Sequence, residues 1–293
     1  MERLPALAAE LVALKVDVTV ASATPAALAA KSSTTTIPIV FATGGNPAGT
    51  LVASIARPGG NVTGLSLVGP ELVARQLQLL KEVVPKASRV AVLSNPDNPY
   101  TATMVKEVET AARSLKVRTQ LVEWRGGAAP DAAFDVMAKE RPHALLVLFD
   151  PILTGQRVRI AELANKHRLP SMYPHREYAE VGGLMAYGAS LTDLYRRAAT
   201  YVDKIPKGGR NHQLRYFWKF QFAALGGPLR ARGLPAPSFL WGEVRKGDEA
   251  PSEFTHRLGA MASRRSTMAP MRLGRSPSNF DNSSRTRKSS SVM

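Results

Sequence analysis

Four short junctions in the sequence have the residue types to hold a small charged molecule. Residues 38–50 read PIVFATGGNPAGT, an apolar run, a glycine pair, then Asn46 and Pro47. Asn caps helices, and proline at the first helical position gives up an N–H that has no partner there anyway. The order recurs where residues 16–21 (VDVTVA) lead through Ser22 to Thr24 and Pro25. It recurs again where residues 89–94 (RVAVLS) precede Asn95, Asn98 and Pro99, and where residues 144–149 (ALLVLF) end in Asp150 and Pro151. Each helix start offers unsatisfied backbone N–H groups and the positive end of a dipole, which suits an anionic or zwitterionic ligand. Plain capping explains any one junction. Four together predict helix starts around one crevice at the carboxyl ends of parallel strands, where open α/β sheets bind ligands.

The residues expected to line that crevice are Ser22, Thr24, Asn46, Asn95, Asn98, Asp150 and Tyr187, each at or just past an expected strand end. Arg176 is a further candidate to pair with a carboxylate, and Tyr173 and Tyr178 offer either ring faces to a ligand or ordinary core packing. Catalytic fingerprints are missing. The chain has no cysteine, so disulfide and thiolate chemistry are excluded. His143, His167, His175, His212 and His256 include no pair four apart, so no metal site is expected. GGNPAG is not GxGxxG, and neither GxxxxGK[ST] nor GxSxG occurs, so no cofactor and no catalytic residue are expected.

These junctions need strands and helices to carry them. Strands are expected at 16–21, 37–41, 62–66, 89–94, 118–124, 144–149, 171–173 and 184–187, alternating with helices. Val73, Leu77, Leu80 and Val84 mark the buried stripe of one helix, and Met104, Val105, Val108, Ala112 and Leu115 that of another. Ser190 and Asp193 open a third in capping-box spacing. The alternation implies an α/β protein with mainly parallel sheet. A chain of 293 residues suits two domains of about 150 residues each, with residues 83–89 (VVPKASR) as the passage between them. No apolar run approaches the ~18 residues of a membrane span. The opening MERLPALAAELVALK reads as an amphipathic helix, and Glu2 and Glu10 interrupt any signal-peptide core.

The net charge of +16 would suggest a nucleic-acid partner if it were spread over the body. It is not: residues 205–293 carry 16 Lys and Arg against 5 Asp and Glu, whereas residues 1–204 carry 23 against 18. No nucleic-acid partner is expected. The basic stretch, rich in Ser, Arg, Met and Pro from about 246, lacks the apolar residues to offset ordering entropy and is expected to be disordered.

Several segments taken together resemble a family: IPIVFATGGNPAGT, LVASIARPGGNVTGLS, LQLLKEVVPKASRVAVLSNPDNP, RIAELANKHRLPSMYPHREYAEVGGLMAYG and LYRRAATYVDKI. From about residue 2 to 206 the chain is similar to ABC-transporter substrate-binding proteins of the tryptophan/tyrosine-binding type. The resemblance implies two doubly wound parallel-sheet lobes, like a type I periplasmic binding protein, closing by a hinge on a small ligand. The ligand implied is an amino acid or related organic anion, and the partner an ABC permease of the inner membrane. The expected protein is a monomer, periplasmic by resemblance, and cytoplasmic if made as the chain stands. Family members carry a signal peptide and a strand, helix and strand before the segment matching Glu2, so the first lobe is expected to be incomplete. Gly45, Asn46 and Pro47 stand where the family often has Gly-Asp-Pro, which weakens capture of a ligand ammonium. After residue 205 the match is broken, although KFQF (219–222) and PAPSFLW return in register. The resulting division is 1–85 for a partial first lobe, 86–188 for the second, 189–245 for a divergent return segment and 246–293 for the tail. An α/β enzyme using the same cleft, or a truncated remnant without function, are the alternatives. Deleting residues 246–293 is expected to leave the melting temperature of the body unchanged, and a loss of several degrees on calorimetry would show that the tail contributes to the core.

Overall fold

A computed structural model describes residues 3–45, 50–54, 58–67, 71–205, 215–217 and 220–224; the tail from 246 and Asn46 lie outside them. The chain opens with α1 (Leu4–Ala13), β1 (Thr19–Ser22), α2 (Ala23–Ser33), β2 (Ile39–Gly44) and β3 (Val62–Leu67). Then follow α3 (Glu71–Val83), β4 (Arg89–Ser94), α4 (Thr101–Ser114), β5 (Arg118–Glu123), α5 (Asp131–Lys139) and β6 (Ala144–Val147). Next come α6 (Pro151–Gly155), α7 (Arg157–Lys166), β7 (Ser171–Tyr173), α8 (Arg176–Glu180) and β8 (Met185–Ala189). The last described elements are α9 (Leu191–Lys204), β9 (Arg215–Phe217) and β10 (Phe220–Ala224).

The strands form two sheets, ordered β1-β2-β3-β9 and β10-β8-β7-β6-β4-β5. Every pairing is parallel except that of β10 with β8. Both sheets are covered on both faces, and the two-residue period of a strand shows how. In β2, Ile39 and Phe41 face α2, while Val40 and Ala42 pack with Leu194, Ala198 and Tyr201 of α9. In the second sheet Val90, Val92 and Leu146 face α3 and α4, and Ala91, Leu93, Leu145 and Val147 face α5 and α7. The eight strands expected from the sequence all form. Burial on both faces explains the unbroken apolar runs of β4 and β6.

Two boundaries differ from the sequence expectation. Leu77, Leu80 and Val83 of α3 are buried against β4, β6 and α4, so α3 covers the second sheet. Residues 83–89, read from the sequence as the passage between lobes, therefore link α3 to β4 on the side of the second sheet. Helix periodicity showed α3's buried stripe but could not name the sheet it would meet. β9 and β10, in the segment read as divergent, are completed by their partners: β9 adds to β3 and β10 adds antiparallel to β8. Open strand edges supply ladder partners that no local period announces. At the opposite edge of the first sheet, β1 is the outermost described strand. Val20 on it, with Leu7, Leu11 and Leu14 on α1, is exposed.

Candidate functional site

In the second sheet the strand order reverses at β4, which has β5 on one side and β6 on the other. Such a reversal opens a crevice at the strands' carboxyl ends, because the loops leave in opposite directions. Asn95 directly follows β4, and Asp150 follows β6. The structure brings them together with Asn98. Asp150 Oδ2 accepts from Asn95 Nδ2 at 3.2 Å and from Asn98 Nδ2 at 3.0 Å. Its other oxygen accepts from the backbone N–H of Ile152 at 2.7 Å and of Leu153 at 3.1 Å, capping α6. The three side chains are buried. A carboxylate with four donors is well satisfied.

The asparagines are turn residues rather than helix caps. Asn95 Oδ1 accepts from Asp97 N–H at 3.1 Å, and Asn98 Oδ1 accepts from Tyr100 N–H at 3.0 Å. α4 begins only at Thr101, with Tyr100 at its N-cap and no side-chain cap bond. Asn tolerates this local closure two residues on, which competes with capping. Thr101 Oγ1 then fixes the turn by donating to Asn95 O at 2.6 Å.

On the first lobe, Thr24 is buried and its Oγ1 accepts from Gly45 N–H at 3.2 Å. Ser66 Oγ of β3 donates to Gly45 O at 2.8 Å. Gly45 is thus held on both sides at the end of β2. Ser22 is exposed, and its hydroxyl lies 2.5 Å from that of Tyr195 on α9. It is the N-cap of α2 by position but makes no cap bond, and Ala23 after it takes φ of 66°, an unusual value for a residue with a Cβ. The lobes meet where Gly45 faces the ring of Tyr100: a Cβ on Gly45 would lie 2.4 Å from Tyr100 Cγ.

Tyr187 is half-buried, and burial raises the pKa of its phenol above the usual value. Its carbonyl accepts from Gln76 Nε2 of α3 at 2.6 Å. Tyr100, Phe149 and Tyr187 all pack, partly buried, against the α3/α4 side of the second core. Tyr100 and Phe149 follow β4 and β6, and Tyr187 lies one residue past the last pairing of β8 with β7. The three rings therefore stand along the carboxyl edge of the sheet. Phe149 also packs against the cluster of β2, β3 and α9, so it joins the two lobes.

Other sequence candidates fall elsewhere. Tyr173 and Tyr178 stack at 4.6 Å inside the core on the α5/α7 face. Arg176 pairs on the surface with Glu180 at 3.0 Å. Sequence reading passed over Gly45, Tyr100, Phe149 and His175 as site residues. His175, just past β7, is buried, edge-on to Phe149 at 5.0 Å, with Nδ1 3.4 Å from Ala189 O. Its Nε2 has no partner among the described residues. Burial lowers its pKa from 6.5 to about 4, with the contact to Ala189 acting weakly the other way. Among the described residues no group of His, Asp and Glu could hold a metal ion, and no helix is long and apolar enough to cross a membrane.

Comparison with known proteins bears on this arrangement. The family described as ABC transporter substrate binding protein matches residues 1–219. The chain belongs to this family. It is 26% identical over 206 residues to a tyrosine-binding protein of Clostridioides difficile (strain R20291), a match covering 69% of this chain and 58% of that protein. The chain thus accounts for less than two thirds of that relative's length. Among solved structures, an ABC domain from Streptococcus pneumonia in complex with L-Trp aligns with a TM-score of 0.74 at 22% identity, covering 80% of this chain and 82% of that one. A conserved domain protein from Vibrio cholerae aligns with a TM-score of 0.73 at 25% identity, covering 80% of each chain. The fold is the two-lobed α/β type of periplasmic binding proteins.

Two outcomes test the site's construction. Asp150→Ala removes a cap and strands two buried amides, so it should destabilise the protein by on the order of 2–4 kcal/mol in urea titration. A loss below about 1 kcal/mol would mean that water replaces the carboxylate without penalty. His175 has a folded pKa below its unfolded one, so the unfolded chain takes up the proton first. Stability tied to it is present above 6.5 and is lost as pH falls toward 4. Between these values the native protein should lose about 3 kcal/mol more than His175→Gln does; parallel pH curves would refute it.

Proposed function

We propose that the protein is the solute-binding component of an ABC importer and holds an amino acid with an aromatic or large apolar side chain between its lobes. The observation that carries this reading is the row of half-buried rings, Tyr100, Phe149 and Tyr187, along the carboxyl edge of the second sheet beside the Asp150 cluster. Aromatic faces with a few fixed polar groups suit a ligand that is apolar at one end and charged at the other. Thr24, Asn95, Asn98 and Asp150 act in this reading as the supports that fix the loops around the ligand, and Tyr187 as a contact. Ser22 lies toward α9 and is assigned no contact. The tyrosine-binding relative and the L-Trp-bound neighbour support the choice of ligand class.

Binding without turnover is the reading that the polar groups favour. The carboxylate of Asp150 already has four donors, and His175 is buried with a pKa of about 4. Neither is placed to move a proton on a substrate. The working protein is proposed to be a periplasmic monomer that delivers its ligand to an inner-membrane permease and uses no cofactor, metal or nucleic acid.

Melting curves with L-tyrosine, L-tryptophan, L-leucine and glycine test this. Saturation at about 100 times Kd should stabilise the protein by about 2.7 kcal/mol for at least one of the first three and not for glycine. Mass spectrometry should recover that amino acid unchanged. Absence of any shift would sink the ligand class, and appearance of a product would favour an α/β enzyme instead.

A further inference from the structure

We infer that Tyr100 is the residue that fixes the closed arrangement of the lobes, with Gly45 as its seat. On the first lobe, Gly45 is clamped by Thr24 Oγ1 on its N–H at 3.2 Å and by Ser66 Oγ on its carbonyl at 2.8 Å. Both hydroxyl-bearing residues are buried, Thr24 on α2 and Ser66 on β3, so the seat moves with the first lobe. On the second lobe, the backbone of Tyr100 is fixed by Asn98 Oδ1, and Asn98 in turn by Asp150. The ring packs against the α3/α4 core, so it moves with the second lobe. Where the two parts meet, the three nearest atoms to a Cβ on Gly45 are all in the Tyr100 ring, at 2.4, 2.5 and 2.7 Å. Separations below 3.0 Å are not tolerated by real Cβ atoms, so only glycine lets the ring lie flat on this backbone.

The arrangement explains why so much buried polar structure surrounds one small contact. Each side of the contact is fixed by hydrogen bonds internal to its own lobe. The contact itself sets carbon atoms of the ring against the Gly45 backbone. A seat of this kind gives a two-state junction: rigid on either side, separable between. Tyr100 is also one of the rings of the proposed cleft, so its part in joining the lobes is read from distances measured without ligand, where it acts as a positioning residue.

Spin labels report the junction directly. The chain has no cysteine, so Glu10→Cys on α1 and Glu109→Cys on α4, both exposed, label the two lobes uniquely. In the full-length protein, pulsed electron–electron distance measurement should give a dominant short-distance population. Tyr100→Ala and Gly45→Ala should each raise the open-to-closed ratio by about fivefold or more, the scale of one contact of ~1 kcal/mol. Tyr100→Phe should keep the native distribution, because the ring is retained. The double variant Gly45→Ala/Tyr100→Ala should match Tyr100→Ala alone, since the added methyl then has no ring to meet. Melting temperatures measured in parallel separate this from a folding defect: Tyr100→Ala loses packing on the α3/α4 core and with it some stability, whereas Gly45→Ala leaves that packing in place and should change the distances with the fold retained. An unchanged distribution in Tyr100→Ala overturns the inference, as does additivity in the double variant.

Discussion

One buried carboxylate organises the crevice end of the second lobe. Asp150 follows β6 and accepts four hydrogen bonds, two from the first turn of α6 and two from the amides of Asn95 and Asn98. An ion is costly to bury unless its lone pairs are filled, and here they are. Filling them requires the loops after β4 and β6 to lie side by side. That requirement sets the turn at Asn98, the backbone position of Tyr100 and the start of α4. The shape of the crevice on this side therefore follows from the electrostatics of one group.

The first lobe solves the same problem with hydroxyls. Thr24 and Ser66 bind the two backbone groups of Gly45, which sits at the end of β2 and would otherwise present an unpaired peptide to a buried environment. The two lobes thus offer each other finished surfaces. A ring on one lobe faces a glycine on the other. Inside each lobe the reverse holds: β2, β4 and β6 are packed on both faces with apolar side chains of almost no exposure. The difference in how well each boundary is bonded decides where the molecule can move.

The strands and the places where they end were legible because a buried parallel strand writes an apolar run and the helix after it needs a capping residue or a proline. The Asp150 cap and the Ser190 cap on α9 are read correctly from that grammar, with Ser190 Oγ accepting from Asp193 N–H at 3.3 Å. Asn98 follows the same spelling but spends its oxygen on Tyr100, because Asn can close a turn two residues on as readily as it can cap. α3 shows its apolar stripe in the sequence, yet which lobe it covers depends on partners such as Leu146 and Met172, far along the chain. The meeting of Gly45 with Tyr100 has no local signature. It joins positions 45 and 100 across two sheets, and a glycine in GGNPAG reads first as a loop residue.

The crossing from β8 into α9 shows how the lobes are joined without being fused. Gly188 lies so close to Pro174 that a Cβ there would stand 1.8 Å from its carbonyl oxygen. The next residue, Ala189, faces His175 through its carbonyl and packs with Val40, Ala42 and Leu65 of the first lobe. Phe149 fills the space beside His175 at an edge-on angle of 85° and touches the apolar clusters of both lobes. This junction is dense and apolar, with a histidine kept neutral by burial at its centre. The contact at Gly45 and Tyr100 is a single ring on a single peptide. Relative motion concentrates at the weaker boundary, since parting it exposes little apolar surface, whereas opening the junction at Phe149 would expose the cores of both lobes.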